Sequence, residues 1–160
     1  MRILIVRHAI AEEREDWSKI SADDEQRPLT KKGIKQFVHF SKVIRDIFPN
    51  PDLFLSSPLV RATQTSEILE KRYKKKYRTI KELKPEASVP RLFKFLTLSK
   101  KQDIIIVGHE PFLSTFISLC LSDNPDIGLV LKKGGCCLLE TDKLQSGRCK
   151  ILLLLQPKYF

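Results

Sequence analysis

Two histidines and two arginines follow apolar runs of strand length, where a folded chain could bring them together. Arg7 and His8 directly follow the run 2–6, and His109 follows the run 103–107 by two positions. Arg61 comes shortly after a third run, at 53–55. Neutral imidazole is a competent nucleophile near pH 7, and guanidinium forks bind phosphate oxygens through paired hydrogen bonds. This set of residues indicates phosphoryl transfer through a phosphorylated histidine.

His8 is the candidate nucleophile. One ring nitrogen attacks phosphorus if a backbone carbonyl keeps the other protonated and so fixes the tautomer. Arg7 and Arg61 would bind the non-bridging oxygens, and a protonated His109 would donate to the equatorial oxygens of the transition state. Carboxylates of the kind that bind Mg²⁺ do not stand beside these residues, so we expect a site without metal or cofactor.

The elements that must position these residues alternate along the chain. Strand-length apolar runs alternate with segments of helical period, which predicts one α/β domain over residues 1–160. We predict strands at 2–6, 53–55, 79–83 and 103–107, helices at 30–48, 57–73, from 88 onward and at 111–121, and an antiparallel pair at 135–140 and 149–155. Ser57 is the expected N-cap of the second helix and Pro58 its first residue. The expected fold is a three-layer α/β/α sandwich with a mainly parallel sheet, in which ligands bind beyond the carboxyl ends of the strands.

Composition narrows the class of partner. The formal charge is +10 over 160 residues, which favours phosphorylated substrates or acidic protein surfaces. The basic segment 71–78 is typical of a solvated helix end, and without a recognised nucleic-acid motif we expect no nucleic-acid partner. Four cysteines lack paired zinc-site spacing and are expected to be small apolar residues in a reducing compartment. Without an export signal or a membrane-spanning run, we expect a cytoplasmic protein.

Four blocks of sequence resemble the histidine phosphatase superfamily, and most closely its small SixA-type phosphohistidine phosphatases. The family signature Arg-His-Gly appears as Arg7-His8-Ala9, and RPLTKKG at 27–33 resembles the R-P-L-T-x-x-G segment of that branch. SSPLVRATQT at 56–65 and VGHEP at 107–111 resemble two further family blocks, in the family's order. The set is specific, although an isolated Arg-His would not be.

The resemblance implies a phosphoglycerate mutase-like fold and assigns roles to residues. His8 would be phosphorylated, Arg7, Arg61 and His109 would complete the phosphate pocket, and Arg27 would be a further phosphate-facing position. The chain departs from the family in having Ala9 for glycine and in lacking an evident proton donor. Glu82 is the best candidate for that donor, while His39 is expected to be structural.

The function that we expect is hydrolysis of phosphohistidine on a signalling protein. A poorly defined acid is compatible with this substrate, because imidazole leaves from a phosphoramidate more readily than an alkoxide leaves from an ester. Three alternatives remain: a phosphatase of small phosphoesters or nucleotides, a phosphomutase, and a non-catalytic phosphate-binding module. The length of 160 residues leaves little room for the insertions that a phosphomutase would need to enclose a sugar phosphate.

Overall fold

A six-stranded mixed sheet forms the centre of the molecule. The computed structural model describes residues 1–157, so residues 158–160 of the predicted domain lie outside the described part. The sheet has the order β3-β2-β4-β1-β5-β6, with parallel pairing from β3 to β1 and antiparallel pairing from β1 to β6. The strands are β1 Arg2–Arg7, β2 Leu53–Ser56, β3 Arg78–Thr79, β4 Asp103–Gly108, β5 Cys136–Glu140 and β6 Lys150–Leu155. The predicted parallel sheet with an antiparallel C-terminal pair is confirmed.

Helices cover both faces of this sheet. They are α1 Arg14–Ser18, α2 Lys31–Ile47, α3 Val60–Tyr73, α4 Val89–Ser99 and α5 Phe112–Leu121, with short 3₁₀ turns at Asp24–Gln26 and Lys81–Leu83. Successive residues of a strand point to opposite faces. Ile3 and Ile5 accordingly pack with α4 and α5, whereas Leu4 and Val6 pack with α2 and α3. The two cores on either side of one sheet confirm the three-layer α/β/α prediction.

The parallel register of β1 and β4 brings two distant parts of the chain to one edge. Arg7 lies opposite Gly108, and the His8 amide donates to the Gly108 carbonyl at 3.0 Å. β2 lies on the other side of β4 with Ser56 opposite Val107. Each of these strands therefore ends at the same edge, which is where the candidate residues leave the sheet.

The segment predicted as a strand at 79–83 is mostly not a strand. Only Arg78–Thr79 pair with β2, and the Ile80 amide makes the last bond, 2.9 Å to the Ser56 carbonyl. The chain then turns through Lys81–Leu83, which places Leu83 in the core with 0% exposure. The apolar residue that made a longer strand plausible is therefore buried from within a turn.

The predicted helix start at Ser57 and Pro58 is also corrected. α3 begins at Val60, and its N-cap is Leu59, whose side chain makes no capping bond. The hydroxyl of Ser57 accepts from the Leu59 amide at 3.4 Å and lies 2.7 Å from Nε2 of His109 at the sheet edge. The basic segment 71–78 includes the end of α3, where Lys74 adopts a left-handed conformation and Lys76 pairs with Glu70 at 2.6 Å.

Further predictions concern the cysteines, the exposed side of α2, membrane-spanning helices and metal sites. The four cysteines are free and buried. His39 is exposed on α2, and Ile34 and Val38, which the apolar pattern of that helix includes, are 39% and 40% exposed. In residues 1–157, no helix is long and apolar enough to cross a membrane. The same residues contain no cluster of three or more His, Cys, Asp or Glu side chains suited to a metal ion.

Gly33 permits a close contact between α2 and the loop that follows β1. A Cβ built on Gly33 would lie 2.1 Å from the Ile10 carbonyl oxygen, which is backbone and cannot move freely. The same carbonyl accepts from the amide of Thr30, the N-cap residue of α2, at 3.0 Å. The first turn of α2 is therefore packed directly against the backbone that leads away from His8.

We predict that Gly33→Ala destabilises the protein, although alanine is the better helix former. Propensity alone would stabilise a helix by about 0.5–1 kcal/mol. The steric conflict should exceed this gain and lower the free energy of unfolding by about 1–3 kcal/mol. Urea denaturation measures the difference, with Lys32→Ala at an exposed position of the same turn as the control. A Gly33→Ala variant as stable as the parent would show that the loop after β1 yields easily.

Candidate active site

Two histidines lie side by side at the carboxyl ends of β1 and β4. The ring centroids of His8 and His109 are 5.1 Å apart, and the ring planes are inclined by 50°. Both residues are buried, with exposures of 5% and 2%. Since their positions follow from the register of β1 and β4, the sheet itself juxtaposes the two imidazoles.

The hydrogen bonding of His8 fixes its tautomer. Nδ1 lies 2.7 Å from the carbonyl oxygen of Ala9, and because a carbonyl only accepts, Nδ1 carries the proton. Nε2 therefore keeps its lone pair. Burial, and to a lesser degree Arg61, Arg7 and Arg27, lowers the pKa of His8 from 6.5 to about 3, against the opposing effect of the Ala9 bond. The ring is neutral at pH 7 and can act as a nucleophile through Nε2.

Ala9, where the family signature has glycine, faces the protein interior. Its side chain belongs to the core beneath α2 and α3, with 2% exposure. Its amide donates to the Thr65 hydroxyl at 3.0 Å, and that hydroxyl donates to the Arg61 carbonyl at 2.7 Å. The methyl group packs in the core, and the Ala9 carbonyl accepts the hydrogen bond from His8, so alanine fits at the position where the signature has glycine.

His109 is neutral in the free site. Burial, followed by the effects of His8 and the three nearby arginines, lowers the pKa of His109 from 6.5 to about 2. Its Nε2 lies 2.7 Å from the Ser57 hydroxyl. In the free protein a further positive charge among buried cations is unfavourable, and the expected protonation of His109 in the transition state stays a prediction. A bound phosphate would act in the opposite direction and favour the proton.

The guanidinium groups of Arg7 and Arg61 both lie near the two histidines. Nη1 of Arg7 donates to the Leu131 carbonyl, and Nη1 of Arg61 donates to the Asp24 carbonyl, both at 2.8 Å. Burial lowers the pKa of both guanidinium groups, although arginine stays charged at any physiological pH. Three buried polar atoms have no hydrogen-bond partner within residues 1–157: Nε of Arg7, Nε of Arg61 and Nδ1 of His109. The hydrogen-bonding capacity of these atoms is therefore unused within the described residues.

Arg27 also lies close to this group. Its Nε donates to Asp24 Oδ1 at 2.8 Å and its Nη1 to the Glu12 carbonyl at 2.6 Å, and the side chain is 10% exposed. Its charge contributes to the lowered pKa values of His8, His109 and Arg61. Arg27 is therefore within electrostatic reach of the two imidazoles.

Glu82 occupies a different position. The 3₁₀ turn that contains it packs near the end of β4, since the Leu83 carbonyl oxygen would lie 3.6 Å from a Cβ on Gly108. The half-buried Glu82 lines a cavity of about 300 Å³ whose other charged residues are Lys81, Lys84, Glu86 and Arg91. That cavity is not lined by the two histidines or by the arginines near them. Glu82 as a proton donor stays a prediction.

Several residues near the histidines and arginines were not predicted from the sequence to take part in the site. Ser57 bonds to His109, and Asp24 bonds to two arginines. Glu110 accepts from the Leu131 amide at 3.2 Å, and so fixes the residue whose carbonyl binds Arg7. Ser57 and Glu110 lie within the conspicuous sequence blocks, so those blocks were a usable signal. Asp24 lies in an acidic loop with no spacing to distinguish it.

A surface cavity of about 360 Å³ adjoins the site. Arg7 forms part of its wall, and the remaining lining residues are Ile10, Gln36, Lys132, Lys133, Gln156 and Pro157. Lys133 also pairs with Glu13 at 3.2 Å. Gly134 has a φ of 76°, which favours glycine, and its amide donates to the His8 carbonyl at 2.9 Å. The turn at 132–135 therefore both supports His8 and borders open space.

Solved structures of several phosphatases have this fold. The protein histidine phosphatase SixA complexed with tungstate superposes with a TM-score of 0.82 and 21% identity, covering 99% of each chain. The alpha-ribazole phosphatase from Shigella flexneri gives 0.78 and 17%, covering 98% of this chain and 97% of that one. Phosphoserine phosphatase from Entamoeba histolytica, in complex with 3-phosphoglyceric acid, gives 0.72 and 18%, with coverage of 97% and 96%. At these identities the likeness shows the fold alone.

Sequence comparison extends to relatives and to a family. An uncharacterized protein of Picosynechococcus sp. is 29% identical over 139 residues, which cover 84% of this chain and 82% of the relative. The family model of the histidine phosphatase superfamily (branch 1) matches residues 3–86, which include Arg7, His8, Arg27 and Arg61. The match spans more than half of the chain, and this protein therefore belongs to the histidine phosphatase superfamily, branch 1.

Proposed function

We propose that this phosphatase transfers a phosphoryl group from its substrate to Nε2 of His8 and then to water. The observation that carries the proposal is the bond from Nδ1 of His8 to the Ala9 carbonyl, which leaves Nε2 unprotonated. The unpaired Nε atoms of Arg7 and Arg61 are suited to the phosphate oxygens. A buried cationic site that binds the developing charge accelerates such a transfer.

The two steps balance as follows for a phosphohistidine substrate. Nε2 of His8 forms a bond to phosphorus while the P–N bond of the substrate breaks, and the leaving imidazole takes the electron pair of that bond and a proton from solvent water, which the proton released in the second step replaces. Water next attacks the phosphorus on His8, so that a P–O bond forms and the bond to Nε2 breaks. The water releases its proton, and His8 returns to the neutral state that its surroundings favour.

We further propose phosphohistidine on a protein as the substrate. Imidazole is a better leaving group than an alkoxide, and the best proton-donor candidate that the sequence suggested, Glu82, lines a cavity that the two histidines do not line. The cavity beside Arg7 carries Lys132 and Lys133 on its wall, which suits an acidic partner surface. The SixA structure of the same fold was determined with tungstate, a tetrahedral oxyanion, which supports oxyanion binding here.

We predict that an acid-labile, base-stable phosphoryl group can be trapped on His8. Rapid quenching after mixing with a labelled phosphodonor should show the label in the parent chain and not in His8→Ala. The exposed histidine of α2 provides the control, since His39→Ala should retain the label. Label of full intensity in His8→Ala would refute the assignment of the nucleophile, and phosphate binding without any label would identify a non-catalytic binding module.

We predict that neither site imidazole titrates between pH 8 and pH 5 in the free protein. The pKa values of about 3 for His8 and about 2 for His109 mean that both rings stay neutral as the pH falls through 6.5. NMR of ¹⁵N-labelled imidazoles reports the protonation state directly. Inorganic phosphate should raise the pKa of His109, because the added negative charge favours the protonated ring. A midpoint near 6.5 in the free protein would contradict this account.

We predict that kcat/KM is higher for a phosphohistidine-bearing protein than for small phosphoesters or nucleotides. The comparison uses a histidine phosphotransfer protein, phosphoserine and a nucleoside monophosphate under the same conditions. Glu82→Gln tests the remaining donor candidate in the same assay: slower ester hydrolysis with unchanged phosphohistidine hydrolysis would identify Glu82 as a proton donor, and unchanged rates for both would exclude it. A preference for one of the small esters would favour the alternative of a small-molecule phosphatase.

A further inference from the structure

One carboxylate contacts three arginines beside the two histidines. Asp24 Oδ1 accepts from Nε of Arg27 at 2.8 Å, and Oδ2 lies 3.2 Å from Nη2 of Arg61. Nε of the exposed Arg14 lies 3.5 Å from Oδ1. The backbone carbonyl of Asp24 also accepts, from Nη1 of Arg61 at 2.8 Å and from the Arg27 amide at 3.2 Å. Asp24 therefore binds both buried arginines through its side chain and its backbone.

The two buried guanidinium groups need this contact electrostatically. The side chains of Arg61 and Arg27 are only 4% and 10% exposed. The charge of Arg27 disfavours that of Arg61 and lowers its pKa, whereas Asp24 acts in the opposite direction. Repulsion between two buried positive charges is unfavourable, and an anion between them offsets it. Asp24 supplies that anion from the 3₁₀ turn Asp24–Gln26.

The geometry leaves one edge of Arg61 free for a ligand. Asp24 engages both Nη groups of Arg61, while Nε is buried and has no hydrogen-bond partner within residues 1–157. On Arg27, Nε and Nη1 are occupied by Asp24 and the Glu12 carbonyl. A guanidinium that is fixed along one edge presents its remaining N–H groups in a defined direction. Such preorganised donors bind a phosphate at lower entropic cost than mobile ones.

We infer that Asp24 is a positioning residue of the phosphate site, which orients Arg61 and Arg27 so that their remaining donors face the phosphoryl group. This inference rests on the proposed phosphatase function. The arginines also keep the carboxyl group ionised, because their combined effect lowers the pKa of Asp24 in spite of its partial burial. An ionised carboxylate between arginines is a poor proton donor, so Asp24 acts through the arginines and not on the leaving group.

The inference predicts weaker oxyanion binding when Asp24 is replaced. In Asp24→Asn and Asp24→Ala, the dissociation constant for tungstate, measured by calorimetry, should rise about tenfold, the usual size for losing one hydrogen bond to a charged group. kcat/KM should fall by a similar factor for 4-nitrophenyl phosphate and for phenyl phosphate, whose leaving groups differ in basicity. Asp16→Asn removes the same charge from exposed α1, where Asp16 pairs with Lys19 at 2.9 Å, and should leave both measurements unchanged.

Each other outcome overturns the positioning role. Tighter tungstate binding in the variants would show that Asp24 competes with phosphate for the arginines. A loss confined to phenyl phosphate would identify Asp24 as a proton donor, and unchanged binding and kinetics would assign it no role. Thermal unfolding of each variant identifies any general loss of the fold. If the parent chain binds tungstate but forms no phosphohistidine, the proposed function fails while the binding comparison still decides the role of Asp24.

Discussion

The in-register parallel pairing of β1 with β4 is the constraint on which the site depends. It places Arg7 opposite Gly108, so the next residue of each strand is a histidine and both histidines leave the sheet at one edge. A slip of one residue would exchange the faces of every side chain in the strand and move Leu4 and Val6 out of their core. The register, seen in the pairing of Arg2–Arg7 with Asp103–Gly108, fixes the separation of the imidazoles.

The residues around the histidines convert that placement into a chemical state. A carbonyl from the following residue, Ala9, fixes the His8 tautomer, and the hydroxyl of Ser57 bonds to His109. Both partners come from the ends of strands, where the backbone is rigid and the spacing to the next element is short. The backbone of Ser57 is held by its amide, which donates to the Val107 carbonyl of β4 at 2.9 Å, so the sheet positions the residue that contacts His109. The arginines differ, since Arg7 and Arg61 depend on carbonyls of loops that themselves need support.

Periodicity was sufficient to predict the layered fold, and position relative to strand ends predicted that His8 and His109 lie together at one edge of the sheet. The failures share one cause. The local sequence around Leu83 is compatible with a strand or a turn, and burial of Leu83 in the core selects the turn. Ser57 is compatible with a helix N-cap or with a contact to another element, and in the fold its hydroxyl contacts His109. Asp24 could not be identified, because its significance comes from the approach of Arg61, 37 positions away, which local patterns do not encode.

The low pKa values of the two histidines determine which ring carries a proton at each stage of the proposed reaction. Burial and the surrounding arginines act in the same direction, so both rings are neutral before substrate binds. A bound phosphoryl group offsets only the contribution of the arginine charges to the lowered pKa values, because its negative charge balances theirs while the rings remain buried. His109 then gains basicity at the moment when a donor to phosphate is useful, whereas His8 loses its free lone pair to phosphorus. In the proposed mechanism, burial and then the arginine charges keep His8 unprotonated in the free protein, and a bound phosphate that offsets those charges favours proton uptake by His109.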